Sequence, residues 1–126
     1  MRAALLLLLC GTAQAQVIEC PATFPYAPAP LASDSKGIIE PSRLSGGGAY
    51  LGELGGRGEL RGDDRKVKGG FDVQFGFGAG EQKWFVCGYG RDGAIGSWRA
   101  IDVKATMCTM RQRTRGDVTT VRAECK

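Results

Sequence analysis

The second half of the chain alternates between large apolar residues and small or polar ones. Phenylalanine or valine occupies every second position from Phe71 to Phe77. Because strand side chains point alternately to two faces, this stripe predicts a strand with one buried face. Residues 83–90 carry apolar residues on both faces, which is typical of a central strand covered on both sides. We expect these two strands to form a hairpin that turns at Gly78–Gly80.

The rest of the C-terminal half predicts further short strands. Residues 97–103, 106–112 and 118–125 have strand composition, and Arg91–Gly93 supplies a turn. A short strand is also expected around Gly37–Ile39. No segment has apolar residues at the three-to-four-residue spacing of an amphipathic helix, so we expect any helix to be limited to a turn or two. The pattern predicts an all-β fold, a small antiparallel meander or half-open barrel or sandwich of about 5–7 short strands.

Glycine dominates the middle of the chain. Ten of the 20 glycines lie in residues 45–70. Glycine raises the entropic cost of ordering the backbone, so this segment predicts either a long glycine-rich loop or irregular strands. Residues 21–30 hold four of the five prolines and must be extended.

The N-terminus has the features of an export signal. Arg2 precedes a short apolar run, and Ala13–Ala15 is a small-residue cleavage motif. We expect residues 1–15 to be removed and residues 16–126 to form one disulfide-stabilised β domain, periplasmic or secreted. The apolar run is too short to span a membrane. Lipidation of Cys10 is the alternative, although Cys10 follows Leu9 rather than a small residue.

Four cysteines remain after such cleavage: Cys20, Cys87, Cys108 and Cys125. An even number in an exported chain favours two disulfides, and four cysteines allow three connectivities. Cys108 and Cys125 flank a turn-like stretch and could join a hairpin, which would leave Cys20 to pair with Cys87. Their spacing does not fit a zinc site, and no metal or cofactor is predicted.

The order of these features resembles small exported bacterial proteins of uncharacterised function. The shared features are the signal, Cys20-Pro21, the Trp84-x-x-Cys87-x-Tyr89 motif and two further cysteines near the C-terminus. The resemblance implies a periplasmic β domain with two disulfides and implies no activity.

Charge suggests where a partner could bind. Signal cleavage removes Arg2, one of 17 basic residues, so 16 basic and 13 acidic residues remain, a net charge of +3. The three arginines at alternate positions 111, 113 and 115 would align on one strand face as a positive stripe for an acidic partner. A solvated hairpin tip is the alternative. The candidate binding residues are Arg111, Arg113, Arg115, Arg65, Lys66, Lys68, Tyr50 and Trp98.

The composition also excludes several chemistries. The chain has no histidine, so Ser-His-Asp and Cys-His catalysis and histidine-ligated zinc are excluded. No carboxylate pair is singled out by its spacing, and nucleic acid is disfavoured because aromatic residues do not interleave with the arginines. The sequence predicts a non-enzymatic binding protein, with an enzyme inhibitor or an immunity protein against a cell-wall toxin as the first hypothesis. The second is an envelope-associated module that binds carbohydrate or lipopolysaccharide.

Overall fold

The described residues form two antiparallel sheets. The computed structural model describes residues 14–25, 33–34 and 41–126. Within them the chain contains nine strands and one turn of 3-10 helix at Arg91–Gly93. The strands are β1 (Gln16–Glu19), β2 (Leu44–Leu51), β3 (Gly58–Glu59), β4 (Asp63–Val67), β5 (Gly70–Gly76), β6 (Lys83–Tyr89), β7 (Ile95–Ala100), β8 (Met107–Arg115) and β9 (Val118–Cys125).

The two sheets pack face to face around one apolar core. The five-stranded sheet has the order β1-β9-β8-β5-β4, and the four-stranded sheet has the order β3-β2-β6-β7. Strand β2 lies across β8 and β9 of the opposite sheet. The largest buried apolar side chains between the sheets are Ile18, Leu44, Phe75, Phe85, Tyr89, Ile101, Met110 and Val121.

The predicted all-β antiparallel class is confirmed, but two details differ. The nine described strands exceed the expected number because β1 and the glycine-rich segment add strands that the pattern does not show. The predicted hairpin of residues 71–77 with residues 83–90 is wrong. Strand β5 pairs with β4 and β8, whereas β6 pairs with β2 and β7 in the other sheet. The connection between β5 and β6 therefore crosses from one sheet to the other.

The glycine-rich segment contains strands, the second of the two structures expected for it. Residues 45–70 hold most of β2, all of β3 and β4, and a connection between β2 and β3. Glycine is required where the sheets approach closely: a Cβ atom on Gly47 would lie 2.9 Å from Val121 and 3.0 Å from Phe85. Crowding of this kind is costly in a packed core. The segment therefore follows sheet geometry and does not form one long loop.

The two disulfides have different roles in the fold. Cys20, directly after β1, bonds to Cys87 on β6 and joins the two sheets. Cys108 and Cys125 are opposite each other in β8 and β9 and join neighbouring strands of one sheet. Of the three possible connectivities, this is the one expected if Cys108 and Cys125 join a hairpin. Disulfides of this kind are typical of proteins that fold in an oxidising environment.

Among the described residues, one charged side chain is buried in the core. Lys83 is 1% exposed and shares the inner face of β6 with Phe85. Its Nζ atom donates to the carbonyl oxygens of three residues: Gly78 at 2.9 Å, Val103 at 3.1 Å and Ala105 at 2.6 Å. It also lies 5.1 Å from the centre of the Phe77 ring. Three carbonyls and one aromatic face thus replace the hydration of the ammonium group, and Lys83 ties two connecting segments to the end of β6.

Several expectations concern residues outside the described ranges. The strand around Gly37–Ile39 and Cys10 lie there, as does almost all of the expected signal peptide. In the part of the chain that the structure describes, no helix is long and apolar enough to cross a membrane.

Candidate functional site

A groove runs along the outer surface of the four-stranded sheet. It has a volume of about 370 Å³ and lies between β2, β6 and the 3-10 turn. We call it the glycine groove, because half of its lining residues are glycines. Its lining residues are Ser45, Gly46, Gly47, Gly48, Tyr50, Glu59, Val86, Gly88, Asp92 and Gly93.

The groove exists because glycines on β2 and β6 lack the side chains that would fill this part of the sheet face. Gly48 is the register partner of Val86, and Gly46 is the partner of Gly88. A Cβ atom on Gly88 would approach the Cα of Gly93 to 3.3 Å, so backbone lies directly against backbone there. Glycine within a strand commonly marks a place where a ligand or another backbone comes close. Here it makes a concave surface on a sheet face that side chains would otherwise fill.

Tyr50 lines the groove and is the first of three aromatic side chains that lie in contact on the same sheet face. Tyr50 and Trp98 have ring centroids 4.8 Å apart, and Trp84 meets Trp98 edge to face at 6.4 Å. The indole N–H of Trp84 donates to the carbonyl of Gly52 at 2.9 Å, which fixes its orientation. All three side chains are half-buried. This aromatic cluster (Tyr50, Trp84 and Trp98) is a rigid apolar surface that stays partly open to solvent.

The charges of the groove are acidic. Glu59 and Asp92 supply its two charged side chains, and Ser45 supplies a hydroxyl. Burial raises the pKa of the Tyr50 hydroxyl, and the negative charge of Glu59 raises it further. Asp92 has a left-handed backbone with φ of 54°, a conformation that aspartate tolerates better than most residues. The groove therefore combines an aromatic wall with two carboxylates.

The predicted arginine stripe lies on the opposite side of the molecule. Arg111, Arg113 and Arg115 alternate along β8 and share the outer face of the five-stranded sheet. Asp72 on β5 lies 2.8 Å from Arg113 and 3.9 Å from Arg65, so these two arginines meet at one carboxylate.

The same face carries further acidic residues. Arg122 on β9 pairs with Glu19 at 2.8 Å and Glu124 at 3.4 Å. Arg122 is also the register partner of Arg111. Carboxylates beside Arg65, Arg113 and Arg122 screen these arginines and weaken the field of the stripe, although Arg111 and Arg122 are like charges opposite each other. Such a mixture of exposed basic and acidic side chains is typical of a solvated sheet face.

The two remaining basic candidates do not join this cluster. Lys66 on β4 is opposite Phe71 and belongs to the other side of its strand. Lys68 lies in the tight turn between β4 and β5 and is exposed. The structure therefore brings Arg65 and Arg113 together at Asp72, places Arg111 opposite Asp72 in the register of β5 and β8, and leaves both lysines apart.

The structure adds three residues that sequence reasoning did not select: Trp84, Glu59 and Asp92. Trp84 was assigned to a central strand, but the pairing of β6 with β7 that places it beside Trp98 is not readable from the pattern. Among the residues described, no group of three or more cysteine, aspartate, glutamate or histidine side chains is placed to hold a metal ion.

The fold and groove define a disulfide-bonded, two-sheet β protein with an aromatic surface groove. Comparisons of the chain with protein-family models, with curated proteins and with solved structures find no match.

Proposed function

We propose that this chain is a non-enzymatic exported protein that binds another protein, in the manner of an enzyme inhibitor or an immunity protein. The aromatic cluster beside the glycine groove carries this proposal. Tyrosine and tryptophan are enriched at the energetic centres of protein interfaces, where a rigid, partly exposed ring buries a large area on binding. The disulfides support the export step, since they require an oxidising environment.

We propose that the contact is made at the groove and not at the positions that charge suggested. The outer face of the five-stranded sheet has most of its arginines near carboxylates. The acidic partner was inferred from a net charge of +3, whereas Glu59 and Asp92 in the groove favour a basic group at the point of contact. Residues 45–70 contribute to this contact as part of the groove wall, through Gly46–Gly48, Tyr50 and Glu59.

A glycan is the second candidate ligand. Sugar rings present both apolar C–H faces and hydroxyl groups, and the groove offers Tyr50 for the first and Glu59, Asp92 and Ser45 for the second. This arrangement favours an envelope carbohydrate at the groove over binding of lipopolysaccharide by the arginine stripe.

Capture from an envelope extract separates the two candidates. The purified disulfide-bonded protein is immobilised, and the bound material is analysed by mass spectrometry for protein and for glycan. We expect one protein in a stoichiometric amount, retained after the extract is treated with glycan-degrading enzymes. Recovery of peptidoglycan without a stoichiometric protein would favour the second candidate, and recovery of lipopolysaccharide alone would favour binding by the arginine stripe.

A further inference from the structure

Among the described residues, the edge of β2 that faces away from β6 is paired at its two ends and unpaired between them. At one end the N–H of Leu44 donates to the carbonyl of Ala22 at 2.9 Å. At the other end the N–H of Leu60 donates to Ala49 at 2.9 Å, and β3 pairs only with Tyr50 and Leu51. Between these points no described strand pairs with this edge of residues 45–48.

The open stretch presents main-chain hydrogen-bonding groups. Carbonyl and N–H groups of a strand alternate between its two neighbours. Since the Ala49 carbonyl points away from β6, the N–H and carbonyl of Gly47 point the same way, into the gap. An unpaired strand edge of this kind is a template for another strand.

A second cavity lies on the inner side of this edge, between the sheets. It has a volume of about 400 Å³, and we call it the seam pocket. Its apolar lining residues are Leu60, Phe71, Val73, Phe75 and Met110, of which Leu60 and Phe71 are partly exposed.

Gly47, Gly48 and Glu59 line both the seam pocket and the glycine groove. The two cavities thus lie on opposite sides of the same stretch of β2. Successive side chains of a strand point to opposite faces of its sheet. A strand added beside β2 would direct one side chain into the apolar seam pocket and the next toward the aromatic wall and carboxylates of the groove.

We propose that the partner protein adds a short extended segment to β2 at residues 45–48, with apolar and basic residues in alternation. The inference rests on the proposed protein-binding function and specifies its mode. Main-chain bonds to Gly47 supply affinity, and the two cavities select the side chains, as in other cases of strand addition. The apolar residue covers Leu60 and Phe71, which are partly exposed, and the basic residue faces Glu59 and Asp92. About four residues can pair, a span of about 13 Å.

The test uses synthetic peptides and the amide signals of the isotopically labelled protein. The probe is an acetylated, amidated peptide of alternating lysine and leucine. Two further peptides carry N-methyl groups. The first is methylated at every leucine nitrogen and the second at every lysine nitrogen, so each peptide loses the main-chain N–H donors along one of its two edges. We expect the probe to slow hydrogen exchange at the Gly47 amide by about tenfold or more.

One methylated peptide should bind as well as the probe, and the other should bind at least tenfold more weakly, roughly the loss of one main-chain hydrogen bond. Glu59→Lys should weaken probe binding, whereas Glu53→Lys in the exposed connection after β2 should not. Equal binding of both methylated peptides would overturn strand addition, as would a Gly47 amide already protected in the free protein. If the capture experiment still returns a stoichiometric protein, only the binding mode fails; if it returns none, the proposed function fails.

Discussion

Removal of the Cys20–Cys87 disulfide, by Cys20→Ala with Cys87→Ala, is expected to lower the free energy of unfolding by about 4 kcal/mol. This bond closes a loop with a sequence separation of 67, so its loss releases a large conformational entropy in the unfolded chain. It is also the covalent link between the two sheets. Urea denaturation of the oxidised variant and of the wild-type protein measures the difference.

The second disulfide supplies the control. Cys108→Ala with Cys125→Ala opens a loop with a separation of only 17, for which the expected loss is about 3 kcal/mol. Strands β8 and β9 stay paired along their whole length without it. A larger loss from this pair than from Cys20 and Cys87 would contradict the assignment of Cys20–Cys87 as the main covalent constraint.

Lys83→Met is expected to cost at least about 3 kcal/mol of unfolding free energy, because three carbonyl oxygens lose their donor. Methionine has a similar length and fills the space without donating a hydrogen bond. The carbonyls of Gly78 and Ala105 would then lose the Lys83 donor, while the carbonyl of Val103 would keep the N–H of Gly80 at 2.8 Å.

The matched control is Lys104→Met, at an exposed lysine in the connection between β7 and β8. Its unfolding free energy should stay within about 0.5 kcal/mol of the wild-type value. Both variants are compared by thermal and urea unfolding. A loss below about 1 kcal/mol for Lys83→Met would mean that the buried ammonium group contributes little to stability.

Periodicity predicts which residues form strands better than it predicts which strands pair. The alternation from Phe71 to Phe77 places β5 and its buried face correctly. It says nothing about the neighbour, and the short connection to β6 is compatible with a hairpin or with a crossing between sheets. Strand β5 pairs with β8, which is distant in the sequence, and Val73 is opposite Met110 in that pairing. Such a pairing depends on tertiary contacts and not on the local pattern.

Strands rich in glycine cannot be predicted from the alternation of apolar and polar side chains. A side-chain pattern cannot be read where side chains are missing, so β2 is invisible as an alternating strand through Gly46–Gly48. Those glycines are explained only by what lies around them, namely the opposite sheet on one side and the groove on the other.

The candidate site was predictable in part. Tyr50 and Trp98 were selected by residue type, and the structure places their rings in contact. Their partners Glu59 and Asp92 come from other elements, so no local motif identifies them. Lys83 did carry a local signal, since it shares the alternation of Phe85, Cys87 and Tyr89 on the core face of β6.

The central claim is that the protein binds its partner through the outer face of the four-stranded sheet. Its most direct test is the dissociation constant of the captured partner for Trp98→Ala and for Arg111→Ala, with Glu59→Lys as a second groove variant and unfolding curves recorded for all three. We predict at least about 30-fold weaker binding for Trp98→Ala, the loss expected of an aromatic anchor, and a change within about twofold for Arg111→Ala. Weaker binding by Arg111→Ala, with both groove variants folded and unchanged in affinity, would contradict the claim and place the contact on the five-stranded sheet.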